Sequence, residues 1–328
     1  QVAIGAGFAC GGFCIQFGCD WVAFLYASIA AILGMRLRQV CNESGLNHYM
    51  GIAISAFVAT IIAWASTLLP AEWTSTPWHP LLACALFIVP GVPLINFVDD
   101  MLDNYIQVGI VRAVNTLLMV AAMAFGIAFA VKLCHIENFF PTISMVPHHQ
   151  YWEYAIAAAI SAMGFSMIFN IQRRLLWVVA IGGIIAVCTR NFVNLGPSTD
   201  NIGLDMGLVI GSFSGAVLVS LIAIKAVHWF HVPNHVLTIP SVIPMIPGVL
   251  MYRMLFGIIN INVQSIDQVT PLMKAIESGV NSGLVIMCIA LGVAIPNIFG
   301  RRFIASSKNK RLAELLKERK ARGKFVEW

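Results

Sequence analysis

Charge is what this chain has little of. Only 11% of its 328 residues are Asp, Glu, Lys or Arg, against about 25% in ordinary globular domains. With 59% hydrophobic residues and a mean hydropathy of +0.83, a water-soluble fold is excluded and a polytopic membrane protein is indicated. No His-Glu-x-x-His motif and no Gly-x-Ser-x-Gly elbow occurs, so the zinc-protease and serine-hydrolase signatures are missing. The eight cysteines mostly lie inside apolar segments, where a free thiol behaves as a small hydrophobe. Cys10 and Cys14 share a helical face, but no third or fourth ligand lies nearby in sequence, so no metal and no cofactor is expected. His228, His231 and His235 flank Trp229 and read as interfacial side chains. No charged start or cleavage pattern of a signal peptide is visible, and Gln1 enters apolar sequence directly; a longer precursor is expected.

What is present is a set of apolar runs. They predict ten spans: Val2–Gly18, Trp21–Met35, Met50–Leu69, Pro80–Asp103, Gln107–Leu133, Tyr154–Ile171, Leu175–Arg190, Asp205–Lys225, Val236–Phe256 and Lys274–Phe299. The expected division is residues 1–133 as a first five-helix unit, 134–153 as a loop, 154–299 as a second unit, and 300–328 as a basic tail. Within the tail, Lys308–Arg322 reads either as a surface helix against anionic lipid or as a solvated charge run.

Two spans are interrupted. The fourth carries Pro90, Gly91 and Pro93 near the middle of a stretch about 36 Å long at ~1.5 Å per residue. The ninth carries Pro244, Pro247 and Gly248. Proline removes a backbone donor and clashes one turn back. The freed polar groups are tolerated in a membrane only within protein or beside a wet cavity. Val89-Pro90-Gly91-Val92 matches Ile246-Pro247-Gly248-Val249, 157 residues later. Met50–Phe57 resembles Met206–Phe213 at an offset of 156, and Val114-Asn115-Thr116 matches Val280-Asn281-Ser282 at 166. Gly126-Ile127-Ala128 likewise matches Gly292-Val293-Ala294. Such ordered matches indicate an internal duplication. An odd number of spans per copy makes the second copy enter from the opposite side. The expected fold is therefore all-α, ten transmembrane helices as two inverted five-helix repeats, with helices 4 and 9 discontinuous.

Orientation is set by the basic residues. Ten of the twenty Lys and Arg residues fall between Arg301 and Lys324, which places both termini in the cytoplasm.

The site is expected where the breaks meet. Helix starts offer unpaired N–H groups suited to a carboxylate, and Pro93 fits a first helical position. Candidate substrate-binding residues are Pro90, Gly91, Pro93, Asn96, Asn115, Pro244, Pro247, Gly248, Asn281 and Ser282. Asn115 and Asn281, each followed by a hydroxyl residue, serve equally well as helix–helix hydrogen-bonding partners. Asp99, Asp100 and Asp103 are candidates for proton coupling, Asp100 first; Asp205 and Glu277 are weaker ones. Arg112 reads as an ion-pair partner of these acids or as a contact for an anionic solute.

These residues resemble the threonine/serine exporter family. The resemblance lies in Val89–Asn96 with Asp100, Gly109 and Arg112; in Cys10-Gly11-Gly12, Asp20-Trp21 and Ala56–Thr60; in Gly164-Phe165 with Phe169-Asn170; and in Val242–Met245 with Pro247-Gly248. It covers nearly all ten spans. It implies proton-driven export of threonine and serine, or of small dicarboxylates such as succinate, across the bacterial inner membrane. In part of the family the halves are separate proteins; here they look fused. Full-length members carry a soluble domain before the first span, and Tyr252-Arg253 departs from the small, hydroxyl-rich run expected there. Expected partners are the small-molecule solute, protons and membrane lipid, with a homo-oligomer left open and no nucleic acid. The rivals are an intramembrane enzyme using Asp100 and Asp205, and a passive channel.

Overall fold

The computed structural model describes residues 1–70, 72–136, 150–197, 202–230, 232–259 and 269–321. Among these every regular element is helical. The helices are α1 (Val2–Gln16), α2 (Trp21–Glu43), α3 (His48–Trp64), α4 (Pro80–Ala83), α5 (Gly91–Leu102), α6 (Ile106–Leu133), α7 (Tyr151–Ile168), α8 (Leu176–Asn194), α9 (Leu208–Phe230), α10 (Asn234–Val242), α11 (Gly248–Ile259) and α12 (Val269–Ala321). His231, part of the expected interfacial cluster, lies outside the described residues, as do residues 137–149 of the expected loop and 322–328 of the tail.

Among the described residues six helical segments are long and apolar enough to cross a membrane: Trp21–Glu43, His48–Leu68, Ile106–Leu133, Arg173–Asn194, Leu208–Ala226 and Leu272–Gly300. A seventh is the pair Asn234–Met245 and Gly248–Leu255, bent by 60°. Length and composition alone therefore mark up to seven of the ten expected spans. At 15 residues, α1 spans only about 22 Å, short of a hydrocarbon core. The first broken span is less regular than its sequence predicts. One turn at Pro80–Ala83 and a 3-10 turn at Leu86–Ile88 lead to the break, and α5 begins after it. The last helix does not stop at residue 299. It runs on through Ala321, passing Pro296, so span and tail form one 53-residue helix.

The outer surface is apolar. Val111, Leu117, Phe125 and Phe129 stand exposed along α6, as lipid contact requires. The inner contacts are made by small residues. A Cβ on Gly164 would come within 2.3 Å of the Ala9 backbone nitrogen, and one on Gly12 within 2.6 Å of the Ala157 carbonyl. Bare Cα atoms at these points let α1 and α7 meet backbone to backbone. Gly5 faces Gly164, Ser161 donates to the Ala9 carbonyl at 3.2 Å, and Gly12 faces Ala157 and Ser161. As numbering rises on α1 it falls on α7, so the two helices cross antiparallel.

The same packing plan occurs twice. Contacts α1–α2, α2–α3, α3–α6 and α5–α6 recur as α7–α8, α8–α9, α9–α12 and α11–α12, while α5 lies on α12 as α11 lies on α6. Buried positions agree with this plan. Thr116, Val120, Met123 and Ile127 of α6 and Ser282, Ile286, Ile289 and Val293 of α12 are all buried, at the expected offset of 166. The match between α3 and α9 is corrected by one helical turn. Gly126 packs on Ala53 and Ala56, and Gly292 on Phe213 and Ala216, which sets the offset at 160. Gly51 then pairs with Gly211, and Thr60 with Ser220. Gly207, the expected partner of Gly51, lies before α9 at φ +86, a conformation open chiefly to glycine.

The two sides of the bundle are fixed by a few polar contacts. Asp20 caps α2, accepting from the Ala23 N–H at 2.7 Å, and its other oxygen accepts from Thr74 Oγ1 and the Ser75 N–H, each at 2.7 Å. The loop before α4 is thereby tied to the end of α1. At the opposite side, Tyr49 at the start of α3 donates to Asn115 near the start of α6, at 2.7 Å.

Candidate functional site

The breaks are built alike. At the first, the Gly91 N–H donates to the Val89 carbonyl at 2.8 Å; at the second, the Gly248 N–H donates to the Ile246 carbonyl at 2.9 Å. Pro90 has φ −77 and ψ 66, an inverse γ-turn. Proline at its centre fixes φ and supplies no donor, so the chain stops one helix and starts the next within three residues. Pro93 is the third residue of α5, not the first, because Gly91 opens the helix. It still falls in the first turn, where a missing N–H leaves no bond unmade. Gly91 and Leu94 already donate to Val89 and Pro90. Little of the expected positive helix start therefore remains for a ligand.

A thiol completes the first break. Cys10 of α1 accepts from the Phe87 N–H at 3.2 Å and donates to the Cys84 carbonyl at 3.8 Å. Backbone groups released by the irregular segment thus find a partner inside the protein, as the lipid interior demands.

The two breaks face each other. A Cβ on Gly91 would meet Ile246 at 3.0 Å and Ile243 at 3.2 Å; one on Gly248 would meet Leu86 at 2.7 Å and Val89 at 3.1 Å. The contact is reciprocal, since Leu86, Val89 and Gly91 correspond to Ile243, Ile246 and Gly248. Phe13 and Phe165 close the ring, their centroids 5.8 Å apart and edge to face. The space enclosed measures about 10 Å³, and every residue lining it is apolar. Small-molecule sites measure about 300–1,000 Å³. Between the breaks there is an apolar plug with no room for a solute in this conformation. A larger groove of about 200 Å³ lies outside α8, α9 and α10, lined by Trp177, Ile181, Val219 and Leu237; its apolar walls suit a lipid chain.

The other expected residues separate into groups. Arg112 pairs with Asp100, nitrogen to oxygen 2.6 Å, so it is an ion-pair partner in this conformation. Asp99 lies 3.9 Å from His235 of α10, which joins the two halves; His235 is an inter-half contact and not merely an interfacial side chain. The Asp103 N–H donates to the Asp99 carbonyl, closing α5. Asn96 is half-buried on α5. Asn115 accepts from Tyr49 and joins α3 to α6. Asn281 is exposed on α12 while Ser282 beside it is buried, so the matched amides do not converge and the matched hydroxyls of Thr116 and Ser282 point inward instead. Asp205 and Glu277 are exposed, and Asp205 occupies a turn at φ +53.

Three features escaped the sequence. Phe13 and Phe165 form the plug. His235 meets Asp99. Gln16 is buried with neither amide atom partnered. A signal for Gln16 did exist: it is the only amide or charged side chain in α1, whose other members are aliphatic residues, glycines, phenylalanines and cysteines.

Known proteins resemble both halves of the chain. Residues 1–134 match a family model described as "Putative threonine/serine exporter". Residues 154–299 match one described as "Threonine/Serine exporter, ThrE". Among curated proteins, the chain is 32% identical over 127 residues to "Probable succinate transporter subunit YjjP" of Klebsiella aerogenes, covering 39% of this chain and 49% of that protein. It is 30% identical over 132 residues to the protein of the same name from Escherichia coli, covering 40% of this chain and 51% of that protein. The chain thus spans about half the length of these curated relatives. No solved structure matches.

Proposed function

The chain belongs to the threonine/serine exporter family, and on that footing we propose that it is a multi-pass secondary transporter of small carboxylate-bearing solutes, not an enzyme. Its solutes are the hydroxy amino acids threonine and serine, exported across a bacterial inner membrane in exchange for protons. Ten membrane segments form two inverted five-helix repeats, with both termini cytoplasmic. The antiparallel crossing of α1 and α7, together with the doubled packing plan, supports this arrangement.

One observation carries the mechanism: the two interrupted segments pack reciprocally, Gly91 on Ile243 and Ile246, Gly248 on Leu86 and Val89. Rocking one repeat against the other separates them first on one side and then on the other. Pro90, Gly91, Pro93, Asn96, Pro244, Pro247 and Gly248 then border the opened path, with the Thr116 and Ser282 hydroxyls behind them. The proton carriers are Asp99, Asp100 and Asp103. Asp99 lies 3.9 Å from His235 of the other half, so a motion that parts the repeats also changes its surroundings.

A second reading is export of C4-dicarboxylates, which the names of the curated relatives favour. Arg112 would then contact a solute carboxylate only after releasing Asp100. The test is reconstitution of the protein in proteoliposomes with threonine, serine or succinate, with and without an imposed pH gradient. Saturable flux that responds to the gradient is expected. Non-saturating flux indifferent to pH would mean a passive channel; chemical conversion without translocation would mean an enzyme.

A further inference from the structure

The polar side chains beyond the plug point to a second solute contact, on the side away from Asp99 and Asp100. The register of α1 on α7 places them. Ala9 meets Ser161 and Gly12 meets Ala157. One turn further along α1 is Gln16, and one turn earlier on α7 is Tyr154, so the antiparallel crossing brings them level. Tyr154 is 1% exposed. Gly183 of α8 packs on Ala158 and Ala162, and two turns beyond it stands Arg190, which the same register carries towards the level of Tyr154. Three helices therefore contribute polar groups at one level.

Gln16 lacks what burial ordinarily demands, and Arg190 lacks a countercharge among the described residues. Gln16 is 8% exposed, and both Oε1 and Nε2 are without a hydrogen-bond partner. Leaving a buried polar group unmatched is destabilising, because it has given up water without gaining a partner. Arg190 donates to Asn191 Oδ1 at 3.2 and 3.1 Å, and among the described residues no carboxylate pairs with it. A half-buried guanidinium level with a buried amide suits an anion that also accepts hydrogen bonds, that is, a carboxylate.

The layer adjoins the transport path. Gln16 lies one turn past the plug residue Phe13. Its counterpart in the second repeat is Ile168, one turn beyond Phe165, so the feature exists on one side only. Asp20 ties the end of α1 to residues 74–76, where the chain enters the first break, and α5 carries Asp99 and Asp100 away towards the opposite side.

We propose that Gln16, Tyr154 and Arg190 form a binding station for the carboxylate group of the transported solute, occupied on the side of the plug opposite the aspartates. This rests on the transport reading above. The experiment compares wild type, Gln16→Leu and Arg190→Gln in proteoliposomes, using threonine and succinate, and records thermal unfolding in detergent with and without each solute. Gln16→Leu removes an unmatched amide and keeps the volume, so its unfolding temperature holds or rises while the KM for the carried solute increases about tenfold or more. Arg190→Gln raises the KM as well and abolishes solute-induced stabilisation. Wild-type KM and wild-type solute stabilisation in Gln16→Leu overturn the station while leaving transport intact. A wild-type protein that neither carries nor is stabilised by either solute overturns the transport reading and the station with it. A Gln16→Leu protein that unfolds at lower temperature with unchanged KM assigns Gln16 a packing role and refutes the proposal.

Discussion

The two broken segments share a turn and differ in the helix that leaves it. Val89-Pro90-Gly91 and Ile246-Pro247-Gly248 adopt the same backbone and make the same apolar contact on each other. Beyond the turn the copies diverge. The first continues to Asn96, Asp99 and Asp100; the matching positions of the second hold Arg253, Phe256 and Gly257. The first helix is anchored by Arg112 on α6 and by His235 of the other repeat. Even the close helix contact is built from opposite sides. In the first copy Gly109 of α6 receives Met101 and the Phe97 carbonyl, whereas in the second Gly257 of α11 receives Ala275 of α12. The two copies keep the same break and differ in charge, so on the transport reading the acids that could carry protons lie on one side of the plug.

The shared part is the most sensitive to change. Gly248→Leu forces a side chain into Leu86, where a Cβ alone comes within 2.7 Å; Gly91→Leu meets Ile246 at 3.0 Å. Overpacking of this kind costs about 1–3 kcal/mol in a close-packed core. On the transport reading it falls on the surface that opens and recloses. Both variants should insert normally and lose solute flux in proteoliposomes, Gly248→Leu more completely. Normal flux in both would remove the breaks from the path.

The unshared part comes next. Arg112→Gln leaves Asp100 without its 2.6 Å partner. A half-exposed pair of this kind is worth about 0–1 kcal/mol, so stability should change little. Transport should suffer more, and adding Asp100→Asn should recover part of it, because the double change leaves no lone carboxylate. If the double variant transports no better than Arg112→Gln alone, the pair is not a unit. If Arg112→Gln removes succinate counterflow and spares threonine, Arg112 contacts the dicarboxylate itself.

How much of this was legible beforehand depended on which signal a residue carried. Pro90, Gly91, Pro247 and Gly248 declare a break by chemistry alone, since proline ends a helix whatever surrounds it. The doubled packing plan was foreshadowed by Val114–Thr116 and Val280–Ser282, because a polar pair within an apolar run is rare. The α3–α9 register was misread by one turn: Met50-Gly51 and Met206-Gly207 look alike, but only packing reveals that Gly51 and Gly211 sit at the same contact. Side-chain direction was hidden too. Asn115 and Asn281 match in sequence, yet one bonds Tyr49 and the other faces outward, and no periodicity in a helix apolar all round distinguishes them. Phe13 and Phe165 were lost among many phenylalanines. Gln16 carries a signal of its own, as the one amide or charged side chain in α1.

A smaller effect tests the side of the bundle that holds the first break in place. Burial alone would push the Asp20 carboxyl up, but the hydrogen bonds from Ala23, Thr74, Ser75 and Thr76 together hold it below the usual carboxylate range. A depressed carboxylate contributes stability that is complete above the unfolded value near about 3.9 and fades as pH falls through the folded one. Asp20→Ala should cost about 0.5–2 kcal/mol, as loss of a helix cap does. The difference from wild type in thermal unfolding should hold steady from neutral pH to about pH 5 and shrink below about pH 4. A difference that grows on acidification would mean that Asp20 is not held by these bonds.

The smallest contrast separates the two asparagines. Asn115→Leu removes the acceptor of the Tyr49 hydroxyl, one hydrogen bond between α3 and α6, worth about 0.5–1.5 kcal/mol. Asn281→Leu replaces an exposed amide on a lipid-facing helix and should change stability by no more than about 0.5 kcal/mol, or raise it, because hydrocarbon offers that amide nothing to bond. Neither should alter the KM for solute if Tyr49 and the outer face of α12 are their whole environment. A KM change confined to Asn281→Leu would mean that α12 turns during transport and brings this amide inward, which would restore the equivalence that the sequence match suggests. The two amides thus test whether the repeats differ only in this one conformation or throughout the cycle.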